Sequence, residues 1–125
     1  MGEKSLATTT TATVSASKVI GESVINRQQE TLGKVHELVL DVESGRIAYA
    51  VLSFGGFMGM GNKLFALPWK ALDLSPTEMK LVLNVDKEKL KNAPGFDKEN
   101  WPDFADPTWG RTIHSFYGFD RYPLI

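Results

Sequence analysis

Residues 33–54 read GKVHELVLDVESGRIAYAVLSF, and the way this stretch alternates decides the fold. Leu38, Leu40 and Val42 fall on one face of an extended strand, with Val35, Val39 and Asp41 on the other. Glu43-Ser44-Gly45-Arg46 then makes a tight turn, in which Gly45 supplies a positive-φ position at no steric cost. Ile47 to Phe54 resumes the strand, so the pair is expected to form a hairpin. On its second arm Ile47, Tyr49 and Val51 alternate with Ala48, Ala50, Leu52 and Phe54, which leaves no polar face. Such a strand belongs at the centre of a sheet.

Outward from the hairpin, three further strands are expected: Val19 to Ile25, interrupted by Gly21; Leu64 to Trp69, with Pro68 near its end; and Lys80 to Val85. A strongly twisted sheet of five or six such short strands exposes its edges unless it curls on itself. The expected class is therefore mainly β, a small closed or partly open barrel with short C-terminal helices. Asp86 caps a helix over Lys87 to Asn92 that Ala93-Pro94-Gly95 stops. Asp106-Pro107 starts a second, which Gly118 ends. Trp109, Ile113, Phe116 and Tyr117 draw one apolar stripe along it, while Arg111, Thr112 and Ser115 look outward. Three regions follow: a Thr/Ala/Ser-rich flexible leader over 1–17, the barrel over 18–92, and a helical extension over 93–125 that docks on the barrel or on a partner.

Composition sets the limits. A chain of 125 residues accommodates one ordinary domain, and 42% hydrophobic with 23% charged residues describes a globular protein. Fourteen basic against 15 acidic residues give no field that would draw phosphate backbones or anionic lipid. Cysteine is absent, which removes disulfides and thiolate chemistry and agrees with a cytoplasmic location. The longest uncharged run, Ile47 to Asn62, has 16 residues with four glycines, too short and too broken for a membrane span. Thr8 to Thr11 spoil any apolar signal sequence.

The residues that could carry chemistry are few. A metal site would need His36, His114 and carboxylates such as Asp103 and Asp106, whose spacing is poor and includes no HExxH. His114 and Ser115 are adjacent on a helix and diverge, and Asp41/Glu43 and Asp103/Asp106 have the density of turns and caps. No catalytic residue, cofactor or metal is assigned. The most unusual segment is Gly55 to Gly61, GGFMGMG, which sets Phe57, Met58 and Met60 among glycines. It lacks the features of a phosphate loop. Two readings stand: the three side chains plug an open end of the barrel, or they protrude as an adaptable apolar contact surface.

The order SKVIGESVIN, then LGKVHELVLDVESGRIAYAVLSFGGFMGMGNKLFALPW, then KLVLNVDKEKLKNAPGF resembles the PRC-barrel family over roughly residues 17–96. The hairpin DVESGRIAYAV, the glycine loop and the closing ALPW carry the resemblance. It implies a small β-barrel of the kind found in the photosynthetic reaction-centre H subunit and a ribosome maturation factor, used for binding or assembly rather than catalysis. The chain lacks the membrane helix of the first and the N-terminal domain of the second, so neither specific role transfers.

The expected function is a non-enzymatic protein-interaction or assembly module, self-associating as a homo-oligomer, with Phe57, Met58 and Met60 as contacts. RNA or ribosome association through Lys63, Lys80, Lys87, Lys89 and Lys91 is the alternative, on a weak charge footing that makes nucleic acid an unfavoured partner. A third reading places a small molecule in a groove near Trp101, Trp109 and His114.

Overall fold

The computed structural model describes residues 13–54, 63–75 and 80–119. It consists of α1 (Ala16–Val19), β1 (Ser23–Ile25), β2 (Thr31–Asp41), β3 (Arg46–Phe54), β4 (Lys63–Pro68), a 3-10 turn (Trp69–Ala71), β5 (Leu72–Ser75), β6 (Lys80–Leu83), α2 (Lys87–Lys91), β7 (Phe96–Asp97) and α3 (Pro107–Phe116). The strands form one sheet in the order β5-β6-β1-β2-β3-β4-β7, antiparallel except where β1 and β6 run parallel. β3 is central and buried on both faces, as its composition requires.

The sheet curls. β5 and β4 are first and sixth in the order, five strand spacings or about 24 Å apart in a flat sheet. Yet the 3-10 turn alone connects them, and a link that short spans at most roughly 14 Å. The two ends therefore approach each other, although no ladder joins β5 to β4 or β7 among the described residues. Among the described residues hydrogen bonds do not close the sheet, and it has seven strands rather than five or six. The two extra strands, β5 and β7, have four and two residues, too few for a periodic signal. The stretch expected as one strand from Val19 divides, because α1 ends at Val19 and the chain reverses at Gly21, where φ is +97°, before β1 begins. Ala16 and Ser17, expected in the leader, belong to α1.

The β2–β3 hairpin forms with its turn at Val42–Gly45, closed by Gly45 N–H donating to Asp41 O at 2.9 Å. Its alternation is broken twice. β2 carries one extra residue at His36, and β3 carries one at Ala48, so the register slips and then recovers. The first bulge turns Val35 to the same concave face as Leu38, against the expectation that placed it beside Val39 and Asp41.

Two apolar clusters lie on opposite faces of the sheet. The concave one gathers Val24, Leu52, Phe65, Leu67, Leu81 and Leu83 from the strands, with Val19 of α1 and Leu90 of α2 completing it. The convex one sets Tyr49 and Ala66 of β3 and β4 under Ile113 of α3, with Phe96, Phe104 and Trp109 packed around them. α3 is held at both ends by local bonds. The Asp106 carboxylate accepts from Thr108 N–H at 3.0 Å, and at the other end Gly118 N–H donates to Ser115 O and Phe119 N–H to His114 O. That closing pattern places Gly118 at φ +92°, a conformation that favours glycine.

Candidate functional site

The convex cluster borders an open groove of about 790 Å³. One wall is the end of the hairpin, with Leu40, Val42 and Ile47; the opposite wall is the 3-10 turn, with Trp69 and Lys70. Tyr49 forms part of the floor, and Phe104 and His114 close it from the tail. At the hairpin end Leu40 is 62% and Val42 90% exposed, the two most exposed large apolar side chains among the described residues. Leu40 belongs to the face that Leu38 shares and Val42 to the turn that follows β2, where the sheet runs out beneath them. Leu38 packs into the concave core, and Leu40 and Val42 extend past it.

The three residues expected to line a groove separate. His114 reaches the groove, whereas Trp101 and Trp109 do not line it. Trp109 is spent on packing, with its ring 5.2 Å from that of Tyr49 and 5.3 Å from that of Phe104. Trp101 lies against Phe96 and His36, and its indole N–H donates to Lys98 O at 2.7 Å. His114 is buried, its Nδ1 2.8 Å from Gly110 O one helical turn back. Asp103 and Asp106, weighed as metal ligands, accept from the backbone N–H groups of Ala105 and Thr108.

Phe57, Met58 and Met60 lie outside the described residues. Of the lysines weighed for RNA, Lys91 pairs with Glu88 at 3.3 Å, Lys89 stands over the Phe116 ring and Lys63 over the Phe65 ring. No helix among the described residues is long and apolar enough to cross a membrane.

Leu40, Val42, Phe96 and Phe104 were not singled out from sequence as contact or packing residues. The signal available was the aromatic density of the tail, with Phe96, Trp101, Phe104 and Trp109 within 14 residues. For Leu40 and Val42 no local signal exists, because their alternation is that of a buried strand.

The PRC-barrel domain model matches residues 12–90. No curated protein matches the chain. The matched span holds the hairpin, β4, β5 and β6, while β7 and α3, which build the convex cluster from above, follow it. A match over more than half of the chain, on a curled, mainly antiparallel sheet with this hairpin at its centre, means that the protein belongs to the PRC-barrel domain family.

Proposed function

We propose that this protein is a non-enzymatic protein-interaction module whose contact surface is the free end of the β2–β3 hairpin together with the groove beside it. The observation that carries this reading is the exposure of Leu40 and Val42 at the rim of a groove that sets apolar side chains beside Asp41, Glu43 and Lys70. Covering each of them with a partner surface is worth about 1.5–3 kcal/mol, enough for two residues to dominate a modest interface. The groups that catalysis would recruit have structural uses: His114 is turned to the helix backbone, His36 lies beside Trp101, and Asp103 and Asp106 serve as turn and cap.

The test is affinity purification of the full chain at native expression, compared with a Leu40→Ser, Val42→Ser variant. The reading expects specific proteins to be lost from the variant while its melting temperature is unchanged. An identical set of recovered proteins overturns it.

A further inference from the structure

We propose that the open edge of β2, from His36 to Asp41, takes up an extended basic and apolar segment of a partner protein as an additional strand. The inference rests on the interaction reading above and specifies its mode and its partner chemistry.

β2 has two neighbours only along its first half. β1 pairs with it as far as Lys34, and the last bonds on that side belong to Val35, whose N–H donates to Glu22 O at 2.9 Å and whose C=O accepts from Gly21 N–H at 2.8 Å. From His36 onward β3 is the sole partner among the described residues. Asp41 directs its carbonyl toward the turn and β3, where Gly45 N–H donates to it. β2 itself has no extra residue between Leu38 and Asp41, so alternation turns the backbone groups of Leu38 and Leu40 to the open side. A row of unpaired N–H and C=O groups is a template for a further strand.

Charge selects the occupant. Between His36 and Glu43 the chain carries Glu37, Asp41 and Glu43 and no lysine or arginine. Among the described residues none of these three carboxylates is in an ion pair; the pairs present are Arg27–Asp73 and Lys91–Glu88. The nearby cations are Lys34, on the half of β2 that β1 covers, Arg46, which faces Asp41 across the β2–β3 ladder, and Lys70 on the 3-10 turn. A second copy is the wrong partner for this edge: antiparallel pairing centred on Val39 would set Glu37 opposite Asp41, and like charges directly opposed destabilise a pair. A strand that alternates lysine or arginine with apolar residues answers the carboxylates and covers Leu40 and Val42 together.

The probe is a seven-residue peptide of alternating valine and lysine with blocked termini, titrated into the full chain and followed by amide hydrogen exchange and NMR shifts. Exchange at Leu38 and Leu40 is expected to slow at least tenfold at saturation, with Val35 unchanged. The same peptide N-methylated at alternate positions keeps its charge, loses the ladder, and is expected to leave both amides unprotected. A Glu37→Lys, Glu43→Lys variant, altered only at exposed positions, is expected to prefer a valine–glutamate peptide. Strand addition is overturned by unchanged exchange over 36–41, by equal protection from the N-methylated peptide, or by shifts confined to Phe104 and His114. If the peptide leaves the edge untouched while Leu40→Ser, Val42→Ser still strips partners, strand addition alone fails. If neither has an effect, the interaction reading falls with it.

Discussion

The rings of Tyr49 and Trp109 meet edge to face, with centroids 5.2 Å apart and planes at 63°. Tyr49 belongs to the central strand and Trp109 to the first turn of α3, so this contact fastens the tail to the convex face of the sheet. Phe104 touches both rings and extends the contact toward β7. At the far end of α3, Phe116 and Tyr117 also reach the concave core.

Trp109→Ala should therefore uncouple two parts of the molecule. Removing a buried tryptophan costs 3–5 kcal/mol, and half-burial reduces that to about 2–3 kcal/mol. Hydrogen exchange should show α3 amides opening while those of β3 and β4 stay protected. Uniform loss of protection over both would show that the tail and the sheet unfold as one unit.

Leu40→Ser and Val42→Ser should alter stability by no more than about 0.5 kcal/mol each, because these side chains already face water. Urea denaturation measures this directly. A loss above about 1 kcal/mol would mean that they support the hairpin rather than a contact.

Gly95→Ala should destabilise by about 1–3 kcal/mol. A Cβ there would stand 2.8 Å from Phe65 Cε1 and 2.9 Å from Leu64 O, and the second of these is backbone that cannot rotate away. Gly95 precedes the β7 strand that pairs with Lys63 and Leu64, so the added methyl pushes this pairing apart. Thermal unfolding of the variant gives the number. An unchanged midpoint would show that β7 can shift without cost.

Tyr117 predicts a pH dependence. Its ring is half-buried between the two clusters, its hydroxyl has no hydrogen-bond partner among the described residues, and burial pushes that hydroxyl well above its ordinary ionisation range. The folded state therefore holds the proton more tightly than the unfolded state. The associated stability is complete below the unfolded value of about 10 and is lost as pH rises beyond it. Tyr117→Phe should make the alkaline loss shallower, and by removing an unpaired hydroxyl it should leave stability at neutral pH equal or raised by about 1 kcal/mol. Paired urea titrations at pH 7 and pH 11 check both statements. Parallel losses in wild type and variant would assign the alkaline effect to other groups.

The elements that sequence alone determined are those whose causes lie within a few residues. The Asp86 and Asp106 caps, the Gly118 stop and the unbroken apolar texture of β3 are each set by local sterics, one side-chain bond or one period, and each stands where it was expected, while the hairpin turn expected over Glu43 to Arg46 lies one residue earlier, at Val42–Gly45. Membership of the family was legible for the same reason, since hairpin, glycine loop and ALPW form a contiguous pattern.

Tertiary structure decided what depends on a neighbour distant in the chain. A bulge at His36 exists only relative to the residues facing it on β3, and it moved Val35 to the core. β5 and β7 are strands because β6 and β4 pair with them, not because four or two residues insist on it. Leu38, Leu40 and Val42 repeat with one period, and only the place where the sheet ends separates a core residue from two that face water. Burial is a property of what lies opposite a side chain, and no window of sequence contains it.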